Sequence, residues 1–224
     1  MCQVAHEGLQ VQVRNFLQVS EEFQGLLFFP VGQPALIATW NEQCARAPSK
    51  RGKDCMTISP FLAALSSEGP PDDRAKDMDL YGWLIGSWEM DTVRYLGDGT
   101  TQKSTGECHF GWVLEGRAIQ DIWIRPKRPA PSTMYGTTLR VFDPGIGGWH
   151  IIWNDPLNHD SSRQIGRAEG NDIVQIGDDS RGVRVRWRFT EITDNSFHWI
   201  GDERSAASGP WRITYEHLAR RTNP

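Results

Sequence analysis

From Ser87 to Ala219 the chain is a succession of short segments in which apolar and polar residues alternate. Alternation with a period of two is typical of strands that bury one face. Turn signals recur at intervals of roughly 8–15 residues with no long helical pattern between them, which favours consecutive antiparallel strands. We therefore predict an all-β fold, an up-and-down (meander) β-barrel of about 8–10 strands, with a two-sheet sandwich as the alternative. The ten predicted strands cover residues 87–95, 102–114, 117–125, 133–142, 149–154, 162–167, 172–177, 183–192, 196–203 and 211–219.

Composition narrows the functional class. The net charge of −4 and the pI of about 5.9 argue against a nucleic-acid surface, which usually needs a basic excess. No apolar run approaches the roughly 18 residues needed to span a bilayer, so we expect no membrane insertion. The four cysteines fit neither a zinc motif nor a CxxC pair, and the first residues lack the build of a signal peptide. These features favour a reducing, cytoplasmic location.

The chain divides into three parts. Residues 1–55 differ from the rest, and we interpret them as an N-terminal extension that is either a peripheral helix or a segment without a fold of its own. Residues 56–79 are a lead-in and a proline-rich linker, and residues 80–221 form the barrel. The helical spacing of Leu80 and Leu84 predicts a short helical plug that closes one end of the barrel before the first strand.

Alternation also predicts which side chains point into the barrel. On strand 183–192 the residues Val185, Trp187 and Phe189 share one face, whereas three arginines share the other and are expected to face water. A barrel of this size can hold one small ligand, although a solid aromatic core without a cavity is the alternative. The predicted aromatic wall of the pocket consists of Trp123, Trp153, Trp187 and Trp199.

A ligand pocket also needs a few polar groups amid its apolar lining. Thr138 and Arg140 share one face of strand 133–142, so Arg140 is the predicted internal cation. It would bind a carboxylate or an enolate, or pair with an internal acid, for which Asp121 is the candidate. Gln164 is predicted to add a hydrogen bond. For both Arg140 and Asp121 the alternative is an exposed position on a strand.

Three motifs carry a resemblance to a known family. The first is the triplet Gly-Ser-Trp at 86–88, which follows a helical turn and begins the first strand. The second is the block 135–144 followed by Gly148 and Trp149. The third is a basic residue near the end of the last strand, here among Arg212, Arg220 and Arg221. On these motifs residues from about 80 to 221 resemble the calycin superfamily of lipocalin-like barrels, and more narrowly the bacterial lipocalin-like proteins of unknown function.

The resemblance implies roles for particular residues. Trp88, after Gly86, would close the bottom of the barrel, and an arginine from the final strand would pack over its ring. We assign that arginine to Arg220, in a cation–π contact of roughly 0.5–2 kcal/mol. The chain departs from the pattern because more than 80 residues precede the motif and the lipocalin-type disulfide is missing. Both departures count against a secreted carrier.

Three functions follow as hypotheses. The first is binding of a small, largely apolar and perhaps anionic molecule in the barrel. The second is cofactor-free isomerisation or cyclisation of a small hydrophobic substrate in the same pocket, with Asp121, Tyr135 and Arg140 as catalytic candidates. The third rests on a resemblance to the haem-binding nitrobindins, which implies His217 as an axial ligand. Because the histidines are scattered without an HxH or HExxH pattern, no metal site is expected.

Overall fold

Short helical elements precede a ring of long strands. The computed structural model describes residues 58–205 and 208–222, so the predicted extension 1–55 lies outside the described residues. No helix in these two ranges has the length and apolar character required to cross a bilayer. The leading elements are α1 (Pro60–Leu65), β1 (Ser66–Ser67), a 3₁₀ helix (Asp72–Arg74) and α2 (Ala75–Gly82). The long strands are β2 (Gly86–Tyr95), β3 (Thr101–Val113), β4 (Ala118–Arg125), β5 (Met134–Asp143), β6 (Gly148–Asp155), β7 (Asp160–Glu169), β8 (Asp172–Asp179), β9 (Arg184–Thr190), β10 (Ser196–Arg204) and β11 (Arg212–Arg221).

The long strands form one closed antiparallel meander. Each strand from β2 to β11 pairs with the next along the chain, and β11 pairs with β2 to close the ring. The two residues of β1 pair with Trp112 and Val113 of β3, just beyond the last β3 residue that β2 reaches. The predicted ten-strand meander barrel is confirmed, and the sandwich alternative is wrong because the sheet has a single closed hydrogen-bonding order.

Helix α2 plugs one end of the barrel. It begins earlier than the predicted plug and places Met78 and Tyr81 in the core, and the turn that follows buries Leu84 completely. The indole of Trp88 is also fully buried, and its Nε1 donates to the carbonyl of Leu84 at 2.8 Å. This lower half of the barrel is therefore filled by side chains. The alternative of a solid aromatic core, which was predicted for the whole interior, holds for this half only.

Arg221 of the last strand binds the turn that follows the plug helix. Its guanidinium carbon lies 4.1 Å from the ring centroid of Trp88. Nη1 donates to the carbonyl of Ile85 at 2.7 Å and Nη2 to that of Trp83 at 2.6 Å, while Nε donates to the carbonyl of Asp194 at 2.8 Å. One side chain thus satisfies three backbone acceptors at the end of the barrel and covers the indole.

The assignment of this role to Arg220 is wrong by one residue. Successive residues of a strand point to opposite faces, so Arg220 lies on the outside, where it pairs with the exposed Asp91. The correct residue lies close to Gly86, whose φ is +122°. A Cβ at Gly86 would lie 2.9 Å from Nη1 of Arg221. Glycine suits this position because L residues rarely adopt such a φ.

Candidate ligand-binding site

The upper half of the barrel encloses a cavity of about 950 Å³. Its mouth lies at the end where β2, β4, β6, β8 and β10 finish. Indole rings line it in a chain of contacts: Trp123 is 5.8 Å from Trp199, Trp199 is 5.6 Å from Trp187, and Trp187 is 5.9 Å from Trp153, measured between ring centroids. All four predicted wall tryptophans therefore lie together in the cavity lining.

Room for one of these rings depends on a glycine. Gly136 of β5 lies directly beneath the indole of Trp153, and a Cβ there would come within 2.1 Å of the ring. No neighbour can yield that much space, because the atom that would be struck belongs to a rigid aromatic system. Gly136 therefore fixes the position of Trp153 in the wall of the cavity.

Arg140 and Asp121 form an ion pair beneath this cavity. Both side chains are buried, with relative exposures of 1% and 0%, and Nη1 of Arg140 donates to Oδ2 of Asp121. The other carboxylate oxygen accepts from the backbone N–H of Thr138 at 2.7 Å. Thr138 and Arg140 also line the cavity. The carboxylate neutralises the guanidinium, so the pair presents no net charge to a ligand.

A set of buried polar atoms lies around this pair and the plug. Gln175 is completely buried on β8 opposite Gly166, against which the hydroxyl of Tyr81 also packs. Burial raises the pKa of Tyr81 above its ordinary value, so the phenol stays protonated. Gln164 donates from Nε2 to Ser162 at 3.1 Å. The hydroxyl of Tyr81 lies next to the amide of Gln175, and within the described residues Oε1 of Gln164 and Nε of Arg140 have no hydrogen-bond partner.

Two arginines at the mouth supply the positive charge that Arg140 does not. The guanidinium carbons of Arg125 and Arg94 lie 4.7 Å and 5.6 Å from the ring centroid of Tyr215. All three residues line the cavity, as does Lys103. Neither arginine is within ion-pair distance of a carboxylate in the described parts of the chain. The mouth therefore has a basic wall formed by Arg94 of β2 and Arg125 of β4, both packed against Tyr215 of β11.

The opposite wall of the mouth is acidic, but most of its carboxylates are already engaged. Oδ1 of Asp155 accepts from the N–H groups of Leu157 and Asn158 and so stabilises the turn after β6. Asp179 binds Arg181 and the turn after β8. Asp160 accepts from the indole N–H of Trp153 at 3.3 Å. Burial raises its pKa, with help from the nearby Asp179 and Asp155, although the indole N–H of Trp153 acts in the opposite direction.

His217 lies in the cavity wall among aromatic rings. Its ring centroid is 4.9 Å from that of Trp199 and 5.5 Å from that of Trp123. Burial, reinforced by the charges of Arg125 and His198, lowers its pKa from 6.5 to about 3. The imidazole is therefore neutral at physiological pH. Its Nδ1 is buried and accepts or donates no hydrogen bond within residues 58–205 and 208–222.

Two predicted site residues lie elsewhere. Tyr135 is 42% exposed on the outer face of β5, because it differs in parity from Thr138 and Arg140 on the same strand. It cannot act inside the barrel, and the predicted catalytic set of Asp121, Tyr135 and Arg140 does not form one site. Gln164 points inward but lies outside the cavity lining, below it.

Sequence reasoning missed the basic wall and the buried amide. The signal for Arg125 was present, since it shares a face of β4 with Asp121 and Trp123. Gln175 likewise shares a face with Ile173 and Gly177. Among the residues with described positions, no three histidine, cysteine, aspartate or glutamate side chains converge as a metal-ion site.

Comparisons with known proteins give information about the fold and not about the ligand. No protein-family model matches the chain, and no curated protein is found as a relative. Among solved structures, the chain is similar to Rv2717c from M. tuberculosis at 14% identity and a TM-score of 0.49, over 66% of this chain and 99% of that one. It is similar to the S-type phycobiliprotein lyase CPES from Guillardia theta at 8% identity and a TM-score of 0.44, over 69% of this chain and 99% of that one.

A third solved structure, a redesigned β-barrel, is 13% identical with a TM-score of 0.27 over 63% of this chain and 93% of its own. Likenesses this distant carry no argument about a ligand. The architecture itself is sufficient to place the fold. A closed antiparallel meander, plugged at one end and open to a cavity at the other, is the lipocalin-like barrel that the strand pattern and the motifs together predicted.

Proposed function

We propose that the protein binds a small, largely apolar molecule with one anionic group, holding the apolar part in the barrel cavity and the anion at its mouth. The observation that carries the proposal is the basic wall. Arg94 and Arg125 lie against Tyr215 beside an aromatic cavity, and neither has a carboxylate within ion-pair distance in the described residues. An anionic ligand would supply the missing partner.

Two energy terms favour a ligand with its apolar part in the cavity and its anionic group at the mouth. Burying apolar surface against the four indoles contributes about 25 cal/mol per Å². A charge-assisted hydrogen bond contributes roughly 1.5–3 kcal/mol more, and arginine presents a fork that suits a carboxylate or sulfonate. Arg140 is the weaker anchor, because its charge is compensated by Asp121 before any ligand arrives.

The proposal is tested with two fluorescent probes that share an apolar body. One is the anion 1-anilinonaphthalene-8-sulfonate and the other is neutral N-phenyl-1-naphthylamine. We expect Arg125→Gln to weaken binding of the anion roughly fivefold to tenfold, corresponding to about 1–1.4 kcal/mol for one contact at a partly solvated site. Binding of the neutral probe should stay within about twofold of the wild type, because the aromatic walls are unchanged.

A matched control is Arg117→Gln, which removes an exposed arginine that pairs with Asp73 outside the cavity. It should change the dissociation constant of neither probe. Equal weakening of both probes by Arg125→Gln, or no effect on the anion, would contradict an anionic ligand at the mouth.

A specific observation also favours haem as a second candidate. His217 is neutral and lies in the cavity lining, which suits a nitrogen ligand. Haem bound there would supply an iron centre, and Arg94 and Arg125 have the charge to pair with its two carboxylates. This chain's own part would be to supply the imidazole and a dry aromatic lining.

Titration with haemin separates the two candidates. If haem is the ligand, a sharp Soret band should develop in the wild type and be lost in His217→Ala. The control His159→Ala, which changes another histidine of the cavity lining, should keep the band. A band of equal intensity in wild type and His217→Ala would rule out axial ligation by His217 and leave the organic anion as the proposed ligand.

A further inference from the structure

A second basic site lies on the outside of the barrel, on β9 and β10. Arg186 and Arg188 bind Asp202 there, and Arg204 lies on the same face of β10, two residues beyond Asp202. The carboxylate of Asp202 is only 2% exposed, and one of its oxygens accepts from Nε of Arg186 at 3.0 Å and from Nε of Arg188 at 3.1 Å. The three arginines do not line the interior cavity, because they occupy the opposite face of the sheet from Trp187.

Trp211 fixes two of these guanidinium groups. The guanidinium carbons of Arg186 and Arg204 each lie 4.5 Å from the centroid of its ring. The side chains of Arg186 and Arg188 are only 25% exposed. The cluster is therefore held by a buried carboxylate and an indole, unlike a set of free surface arginines, and little side-chain entropy remains to be lost when a ligand binds.

The charges in this cluster do not balance. Arg186 and Arg188 share one carboxylate, and Arg204 stacks on Trp211 beside them without an ion-pair partner in the described residues, so the three arginines and Asp202 together carry a net charge of +2. Arg186 and Arg188 each use only Nε on Asp202, and Nε of Arg204 is buried without a partner in the part of the chain that the structure describes. The neighbouring Arg184 differs, since it is exposed and pairs with Asp178 at 3.2 Å.

We propose that this outer arginine site, formed by Arg186 and Arg188 on Asp202 and by Arg204 on Trp211, binds a dianionic phosphate group, either free or as a monoester. A tetrahedral dianion matches the net charge of +2, and its several oxygens can accept from the terminal N–H groups that Asp202 leaves unused. Trp211 and Asp202 position the arginines and do not contact the anion.

Calorimetric titration of the whole chain with inorganic phosphate at pH 8 and constant ionic strength tests the site. We expect a dissociation constant of about 1 mM or below for the wild type. Arg188→Gln should weaken binding about tenfold, because it removes one charged donor group. Arg204→Gln should do the same while leaving both contacts to Asp202 in place, so a folding defect in Arg188→Gln cannot hide the result.

Two control variants show where the phosphate binds. Arg184→Gln removes the same charge from the same face of β9, and Arg125→Gln removes a cation of the cavity mouth. Both should bind phosphate within about twofold of the wild type if the outer site is responsible. Equal weakening by Arg184→Gln would show nonspecific attraction and overturn the proposal. Loss only in Arg125→Gln would place phosphate at the mouth and also overturn it.

The chemistry of the anion is tested separately. Sulfate keeps two charges at all pH values used, whereas a phosphate monoester has a second pKa of about 6. Lowering the pH from 8 to 5 should therefore weaken phosphate several-fold and leave sulfate unchanged. Tighter binding of phenyl phosphate than of inorganic phosphate would assign a monoester, and equal binding would assign free phosphate. No saturable heat with either anion in the wild type would overturn the site.

Discussion

Asp121→Ala is expected to destabilise the protein by about 3–5 kcal/mol, because it leaves the guanidinium of Arg140 charged and unpaired in the core. The same substitution removes the acceptor of the buried N–H of Thr138. Both groups are almost inaccessible to water, so solvent cannot replace the lost partner. The free energy of unfolding is measured by denaturation in urea, followed by tryptophan fluorescence.

Two further variants separate the charge effect from a general loss of packing. Asp91→Ala removes the exposed partner of Arg220 and should cost no more than about 1 kcal/mol. The double variant Asp121→Leu, Arg140→Met replaces the buried pair by apolar groups, and we expect it to recover most of the lost stability. If the double variant were as unstable as Asp121→Ala, an unpaired charge could not be the cause.

Arg221→Met should destabilise the barrel by about 2–3 kcal/mol, since hydrogen bonds to charged donors contribute roughly 1.5–3 kcal/mol each and this end of the barrel is partly solvated. The variant keeps an apolar stem over Trp88 but leaves the carbonyls of Trp83 and Ile85 without the guanidinium. Thermal and urea unfolding both report this loss.

The neighbouring Arg220→Met provides the matched control. It makes the same chemical change one residue earlier, on the outer face, and should stay within about 1 kcal/mol of the wild type. If Arg220→Met were the more damaging of the two, the last strand would have to be rotated so that Arg220 covers Trp88, and the register of β11 against β2 would be wrong.

The fold could be predicted because its determinants are local. A strand with one buried face repeats every two residues, and the turns between these strands are rich in glycine and asparagine. Contacts between consecutive strands could also be predicted from the sequence. Asp121 and Arg140 lie on β4 and β5, which form a hairpin, so an ion pair between them was one of the alternatives that alternation allowed.

Contacts that depend on closure could not be predicted in the same way. Arg94, Arg125 and Tyr215 lie on β2, β4 and β11, and they meet only after the ring is complete. The choice between Arg220 and Arg221 depends on the register of β11, in which a shift of one residue reverses the faces. The position of Tyr135 could have been predicted. It lies an odd number of residues from Arg140 on the same strand, so alternation already places the two side chains on opposite faces.

The ring is closed by pairing between β2 and β11, with Trp88 directly opposite Arg221. These strands are far apart in the chain, so the ribosome must release residue 221 before the cavity has its last wall. A nascent chain that ends before Arg212 would expose the unpaired edges of β2 and β10, the situation that favours association between chains. We therefore expect the ligand proposed above to bind only after β11 has paired with β2.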